Sequence, residues 1–243
     1  METVERLAEA GLNKSAIART TGIPRSTVRM WLRRGIPAGN YAGCRAREPV
    51  LAKLPAAEYA YLLGMYLGDG HIARCPRTYL LRIFCDEQYA EILAELEAAV
   101  GVVAPDRSVF RVARPGRCVA VAAYWKHWPT LFPQHGPGFK HERAIDLTAW
   151  QRALTRQRPD KLVRGLIHSD GCRFVARQPK PGSDDHYRYV RYGFSNRSDD
   201  IKRLFCEHLD MLEVHWTRAN DWTIQIARSA SVEILEGIVG PKR

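Results

Sequence analysis

The chain has 243 residues, enough for a substantial core, and its 46% hydrophobic and 26% charged residues are the composition of an ordinary folded protein. Thirty-seven Lys and Arg against 26 Asp and Glu leave a formal net charge of +11, which favours a polyanionic partner such as nucleic acid. A membrane span is not expected, because the longest uncharged apolar stretch, Tyr59 to Gly68, is about half the required length. The first residues show no basic run followed by an apolar one, so no signal peptide is expected. Six widely spaced cysteines without a CxxC pair argue against structural zinc and suit reduced thiols in a cytoplasmic, nucleoid-associated protein.

In chain order, residues 1–36 predict three short helices. Val4, Leu7 and Ala8 mark the first, which stops at Gly11, and Ile17 and Ala18 mark the second, which ends before Gly22. The third opens at Ile23-Pro24 and buries Val28, Trp31 and Leu32 at i, i+3, i+4 spacing. Its opposite face shows Arg25, Ser26, Thr27, Arg29 and Arg33, all side chains that hydrogen-bond phosphates or base edges. The segment resembles helix-turn-helix modules of bacterial DNA-binding proteins. A small helical cap with a solvated basic face is the alternative. Residues 37–56 carry Pro37, Gly39, Gly43, Pro49 and Pro55 and predict a linker.

The remainder reads as two copies of one plan, over 57–142 and 159–243, joined by a linker over 143–158. An apolar helix ending in Asp-Gly occurs as YLLGMYLGDGHI and again as LVRGLIHSDGCR, with Asp69 and Asp170 lying 101 residues apart. Each is followed by two strand-like runs, 71–74 with 78–85 and 172–177 with 187–195. An amphipathic helix follows each pair, near 87–100 and 198–212. Two further strands come next, 109–114 with 118–123 and 215–218 with 222–227, around turns at Pro115-Gly116 and Asn220-Asp221. A closing helix and a Gly-Pro…Lys ending complete each copy, and Trp125, Trp128 and Phe132 read as the core face of the first of these helices. The predicted class is α+β. The loop over 178–188 is longer than its counterpart over 74–78, so unequal halves are expected.

With these motifs the sequence resembles the LAGLIDADG homing endonucleases in their two-motif, single-chain form. Gly64, Asp69 and Gly70 match the motif's third, eighth and ninth positions, and so do Gly165, Asp170 and Gly171. The often acidic sixth position departs, being Leu67 in one copy and His168 in the other. The resemblance implies a tandem αββαββα fold about a pseudo-twofold axis and hydrolysis of one phosphodiester on each strand of double-stranded DNA. It also implies that Lys140 and Lys242, 71 and 72 residues after their aspartates, complete the site near the reacting phosphate. Gly68 and Ser169, just before the acids, are expected in the metal site with them.

The residues make independent sense of this. Small residues four apart, Gly64 with Gly68 and Gly165 with Ser169, let two helix backbones approach closely. Packed together, the helices bring Asp69 and Asp170 side by side at C-terminal ends, where the helix dipole and the second carboxylate both oppose negative charge. Divalent cations compensate, and hard oxygen ligands suit Mg²⁺, or Mn²⁺ in its place. His168, beside the second acid, reads as a structural hydrogen-bonding group between helices more readily than as a general base. Two antiparallel sheets would offer one face to DNA. Candidates for it are Arg74, Arg77, Arg82, Arg111 and Arg114 in the first copy. In the second they are Arg173, Arg177, Arg188, Arg191, Arg218 and Gln225.

Two functional readings stand at this point. One is a monomeric, site-specific, metal-dependent DNA endonuclease. The other is a DNA-binding transcription regulator that keeps the scaffold without cutting, which the N-terminal module keeps open. Nothing in the sequence points to the family's third activity, RNA splicing.

Overall fold

A computed structural model describes residues 2–21, 23, 25–34, 54–182 and 184–240. The chain forms two compact units, Met1–Glu48 and Pro49–Arg243.

The first unit holds helices α1 (Glu2–Glu9), α2 (Lys14–Thr21) and α3 (Arg25–Arg34). Asn13 caps α2, its side-chain oxygen accepting from Ser15 N at 3.1 Å and Ala16 N at 2.9 Å. Val4, Ile17, Val28 and Trp31 form a small separate core. Leu32 departs from the expected stripe and is 37% exposed, because the buried line of α3 runs through Val28 and Trp31 and leaves Leu32 at its edge. Arg25, Ser26, Arg29 and Arg33 are exposed, and the side chain of Thr27 lies outside the described residues. Most of the expected linker 37–56 also lies outside them.

The second unit is α+β and contains the αββαββα plan twice. Helix α4 (Ala56–Asp69) leads into β1 (Gly70–Arg74), β2 (Tyr79–Asp86), α5 (Ala90–Val103), β3 (Val109–Arg114) and β4 (Cys118–Tyr124). The first copy closes with α6 (Trp128–Leu131), a single turn where a full helix was expected. Pro133, which lacks an N–H, follows at once and ends it. Trp128 and Phe132 are nevertheless in the core, with Trp125 packed against it.

The stretch between the copies is not a bare linker but contains a helix, α7 (Ala149–Gln157), started by a Thr148–Gln151 capping box. Its Gln151 is fully buried. Gln151 Nε2 donates to Tyr59 Oη at 2.8 Å, Tyr59 Oη donates to Leu131 O at 2.6 Å, and Gln134 Nε2 donates to Gln151 Oε1 at 2.7 Å. Burial raises the Tyr59 hydroxyl far above its ordinary range and keeps it a donor. Tyr59→Phe should therefore destabilise the fold by about 1–3 kcal/mol, since it removes two buried hydrogen bonds. A urea titration of both proteins measures this, and an unchanged midpoint would mean that water replaces the hydroxyl.

The second copy repeats the order with α8 (Pro159–Asp170), β5 (Gly171–Pro179), β6 (His186–Ser195), α9 (Asp199–Met211), β7 (Thr217–Arg218), β8 (Thr223–Ile226) and α10 (Ser229–Val239). The strand orders match, β1-β2-β4-β3 and β5-β6-β8-β7, with adjacent strands antiparallel. The long loop expected at 178–188 is shortened to 180–185 by the two strands that flank it. Pairing continues out to Pro179 with His186, and the hairpin closes by a bond from Lys180 N to Asp185 O. Helices cover one face of each sheet, and a single core containing Leu62, Leu96, Leu166 and Leu204 joins the two copies.

The joint between the copies is the α4–α8 pair. Helix α4 is buried from Tyr59 to Leu67, as an all-round apolar helix must be. A Cβ at Gly64 would lie 2.6 Å from Leu162 O, and one at Gly165 only 2.3 Å from Tyr61 O, so the backbones touch. These distances give the glycines their reason.

Candidate active site

Both helices of the pair end on their aspartate, and the chain turns at once into a strand. Gly70 N–H donates to Tyr66 O and Gly171 N–H to Ile167 O, with extended φ of −86° and −98°. Glycine is needed there for closeness, since a Cβ on Gly70 would stand 2.5 Å from Tyr66 Cα. At the tip of the seam, a Cβ on Gly68 would meet Ser169 Oγ at 2.2 Å and Asp170 Oδ2 at 3.0 Å. The end of α4 thus abuts Asp170.

Lys140, on a 3₁₀ turn (Lys140–Glu142), reaches this tip. Its Nζ donates to Tyr66 O at 2.6 Å and Gly68 O at 2.7 Å, and sits 5.0 Å from the Tyr66 ring centre. Carbonyls at a helix C-terminus carry the negative end of the helix dipole and attract such a cation, Tyr66 O accepting from Lys140 as well as from Gly70 N–H. Burial lowers the Lys140 pKa to about 8, while Asp170 and Asp69 both pull it back up and Arg143 opposes them. One ammonium therefore feels both carboxylates. Arg143 fixes the loop that carries it, donating to Gly136 O at 2.7 Å and Gln134 O at 2.9 Å.

Asp170 is held by Asn196, whose Nδ2 donates to Asp170 Oδ2 at 2.6 Å. Asn196 Oδ1 in turn accepts from Ser198 N at 2.7 Å, and Ser198 caps α9. A cleft of about 380 Å³ opens here, with Asp170, Lys140, Asn196, His71 and Arg197 in its wall. Burial first, then the charges of Arg82 and Lys140, hold the His71 imidazole below its ordinary range, so it is neutral at pH 7. Asn196 and His71 were not singled out in the sequence. The only local signal for Asn196 was its place just ahead of a helix cap.

The other expected metal neighbours are otherwise engaged. Gly68 O accepts from Lys140, and Ser169 Oγ turns back toward Gly165 O and Leu166 O of its own helix. His168 is buried, with Nε2 3.0 Å from Val239 O and Nδ1 3.1 Å from Tyr61 Oη, which makes it a packing group. Lys242 lies outside the described residues. Among the described residues no cluster of three or more His, Cys, Asp or Glu could hold a metal. A cation at the seam would have two carboxylates from the protein and the rest of its shell from water or substrate oxygens. That arrangement fits Mg²⁺, which usually keeps several waters and binds through one or two carboxylates plus phosphates.

Strand register sorts the candidate arginines. Arg82 and Arg114 lie on the open face of the first sheet, and Arg191 and Gln225 on that of the second. Arg77 is exposed in the β1–β2 turn. Arg111 and Arg173 must be corrected: both face the helices and pair with carboxylates, Arg111 with Glu97 at 2.6 Å and Arg173 with Glu236 at 2.7 Å. Arg74, Arg177, Arg188 and Arg218 share that helix-side register, near strand ends or on the projecting part of the β5–β6 hairpin. Arg218 also reaches Asp221 at 3.4 Å.

The sequence matches no protein-family model and no curated protein. Solved structures of similar shape include the homing endonuclease I-DmoI in complex with DNA and Ca (13% identity, TM-score 0.47, 77% of this chain and 91% of that one). Another is the LAGLIDADG meganuclease I-AabMI bound to uncleaved DNA (12% identity, TM-score 0.47, 74% and 82%). A third is the LAGLIDADG homing endonuclease I-SmaMI bound to cleaved DNA (9% identity, TM-score 0.44, 72% and 79%). Identities this low transfer no activity, so function has to come from the chemistry of the site itself. No helix among the described residues is long and apolar enough to cross a membrane.

Proposed function

We propose that this protein is a monomeric endonuclease that binds double-stranded DNA and hydrolyses a phosphodiester on each strand with Mg²⁺ or Mn²⁺. The observation that carries the reading is the convergence of Asp69 and Asp170, one from each copy, at the seam where Lys140 feels both. Two acids from separate copies meeting at two helix C-termini are costly to keep there. A substrate that brings cations and phosphate to them is the use that repays the cost.

A divalent cation at this seam supplies Lewis-acid stabilisation of the phosphate and a more acidic bound water. The protein's own residues hold the parts. Asp69 and Asp170 provide the anionic oxygens, and Asn196 fixes the orientation of Asp170. Lys140 places a positive charge beside the reacting phosphate, its ammonium donating to two helix carbonyls. Neutral His71 at the cleft wall can accept a proton or a hydrogen bond from water. Arg82, Arg114, Arg191 and Gln225 on the open sheet faces contact the duplex. Exposed Arg25, Ser26, Arg29 and Arg33 of α3 supply a second contact, as a helix-turn-helix would. That separate unit is also what favours the second reading, a non-cleaving regulator located with the nucleoid.

Selection of duplexes from a randomised pool in chelator tests the binding half of the proposal. Affinity should fall steeply between low and moderate salt, with on the order of ten phosphates neutralised. Arg25→Ala with Arg29→Ala should weaken binding about tenfold or more and flatten the salt slope. Failure to retain any duplex would sink the DNA reading, and unchanged affinity in the double variant would remove α3 from it.

A further inference from the structure

Each sheet turns one face to the helices and leaves the other open. In the first sheet the register turns Leu81, Ile83, Val121 and Ala123 toward the helices, where they join the core. On the other side it leaves Leu80, Phe84, Phe110, Val112 and Tyr124, all outside that core. Ala120 and Ala122 form the floor between them, Ala120 pairing with Phe84 and Val112, Ala122 with Arg82 and Phe110. Phe110 and Tyr124 stack at 5.7 Å, and Tyr124 is 49% exposed. Arg82 rises from this apolar floor with its Nε buried and unbonded among the described residues. The corresponding face of the second sheet carries the exposed aromatics Phe174, Tyr187 and Tyr189 together with Gln178, Arg191, Thr223 and Gln225.

We propose that the open face of the first sheet reads thymine 5-methyl groups in the major groove. The inference rests on the DNA reading above and specifies its substrate. In the major groove only thymine offers an apolar group; every other base edge offers donors and acceptors alone. Apolar side chains laid in the groove leave polar edges unpartnered at every base pair and gain a compensating contact only at the thymine methyl, which favours A·T pairs. The small alanines let the groove edge approach the floor, and Arg82 has the fork to mark one guanine within an A·T-rich run. Gln178, Gln225 and Arg191 on the second sheet are instead suited to adenine and guanine edges.

DNA is the occupant that the surroundings favour. The sheet begins one residue beyond Asp69, and His71, which lines the active-site cleft, pairs directly with Arg82 on its open face. Arg114 extends its basic edge. The chain as a whole carries a charge of +11. The apolar patch is thus continuous with the candidate catalytic cleft and framed by positive charge, which complements a polyanion.

Replacing thymine by deoxyuridine removes the methyl group and nothing else. In duplexes selected from the randomised pool, the half read by the first sheet is the one whose sequence preference changes in Phe110→Ser. Deoxyuridine throughout that half should weaken wild-type binding about tenfold or more. Phe110→Ser should bind the thymine and uracil duplexes alike; Leu80→Gln serves the same purpose if Phe110→Ser lowers the melting temperature. Equal wild-type affinity for the two duplexes would overturn the methyl reading and leave DNA binding standing. Failure to select any duplex would overturn DNA binding and this inference with it. A solution dimer that Phe110→Asp dissociates would assign the face to a second copy of the chain and likewise overturn it.

Discussion

Asp170→Asn should lower double-strand cleavage by on the order of 10³-fold or more while leaving DNA binding in chelator unchanged or slightly tighter. The replacement keeps the shape of the side chain, and its amide oxygen can still accept the hydrogen bond from Asn196 Nδ2, so the seam stays folded. What is lost is a charge. With one carboxylate left, a divalent cation has too little anionic support, and the phosphate loses its counter-charge as negative charge develops. Binding escapes because no basic contact is touched and one repulsion beside the phosphates is removed. Asp69→Asn should behave alike, since Lys140 is coupled to both acids. The comparison needs a selected duplex, an Mg²⁺ titration and a gel shift in chelator. Full cutting by both variants would show that the chemistry lies elsewhere.

Gly165→Ala should destabilise the protein by about 3 kcal/mol, although helix propensity alone would predict a gain of about 1 kcal/mol. The added Cβ would stand 2.3 Å from Tyr61 O and 3.0 Å from Met65 N, both backbone atoms that cannot rotate aside. Either α8 moves away from α4 or the contact strains both helices. Gly101→Ala is the internal control. Gly101 also lies within a helix, α5, but its added Cβ would meet nothing within 4 Å, so this change should stabilise by up to about 1 kcal/mol. Opposite shifts of the urea midpoint for the same chemical substitution would establish the helix seam as the structural joint. Two shifts of the same sign would contradict it. Because the acids sit at the end of this seam, Gly165→Ala should also slow cleavage in whatever fraction remains folded.

Much of this architecture was legible in the sequence because its signals are local. Apolar helices ending in Asp-Gly, small residues four apart, and the repeated order of elements each need only a short window. The aspartates were identifiable for that reason, and so was the close approach at Gly64 and Gly165. What stayed hidden depends on contacts between distant segments. Arg111 and Arg173 resembled open-face residues until pairing fixed which side of each sheet they occupy. A one-residue shift of register reverses every side chain of a strand, and counting arginines cannot supply it. Asn196 lies 26 residues from Asp170 and meets it only through the β5–β6 hairpin. The helix over 149–157 looked like a connector because its deeply buried residues, Gln151 and Thr155, are polar, and Gln151 finds partners on other elements.

Incubating the wild-type protein with its selected duplex, with Mg²⁺ or with chelator, tests the central claim most directly. Cuts on both strands at one fixed position, present only with the metal, are the predicted result. A protein that holds the same duplex tightly in Mg²⁺ and leaves both strands intact would contradict the endonuclease reading, and the non-cleaving regulator would take its place.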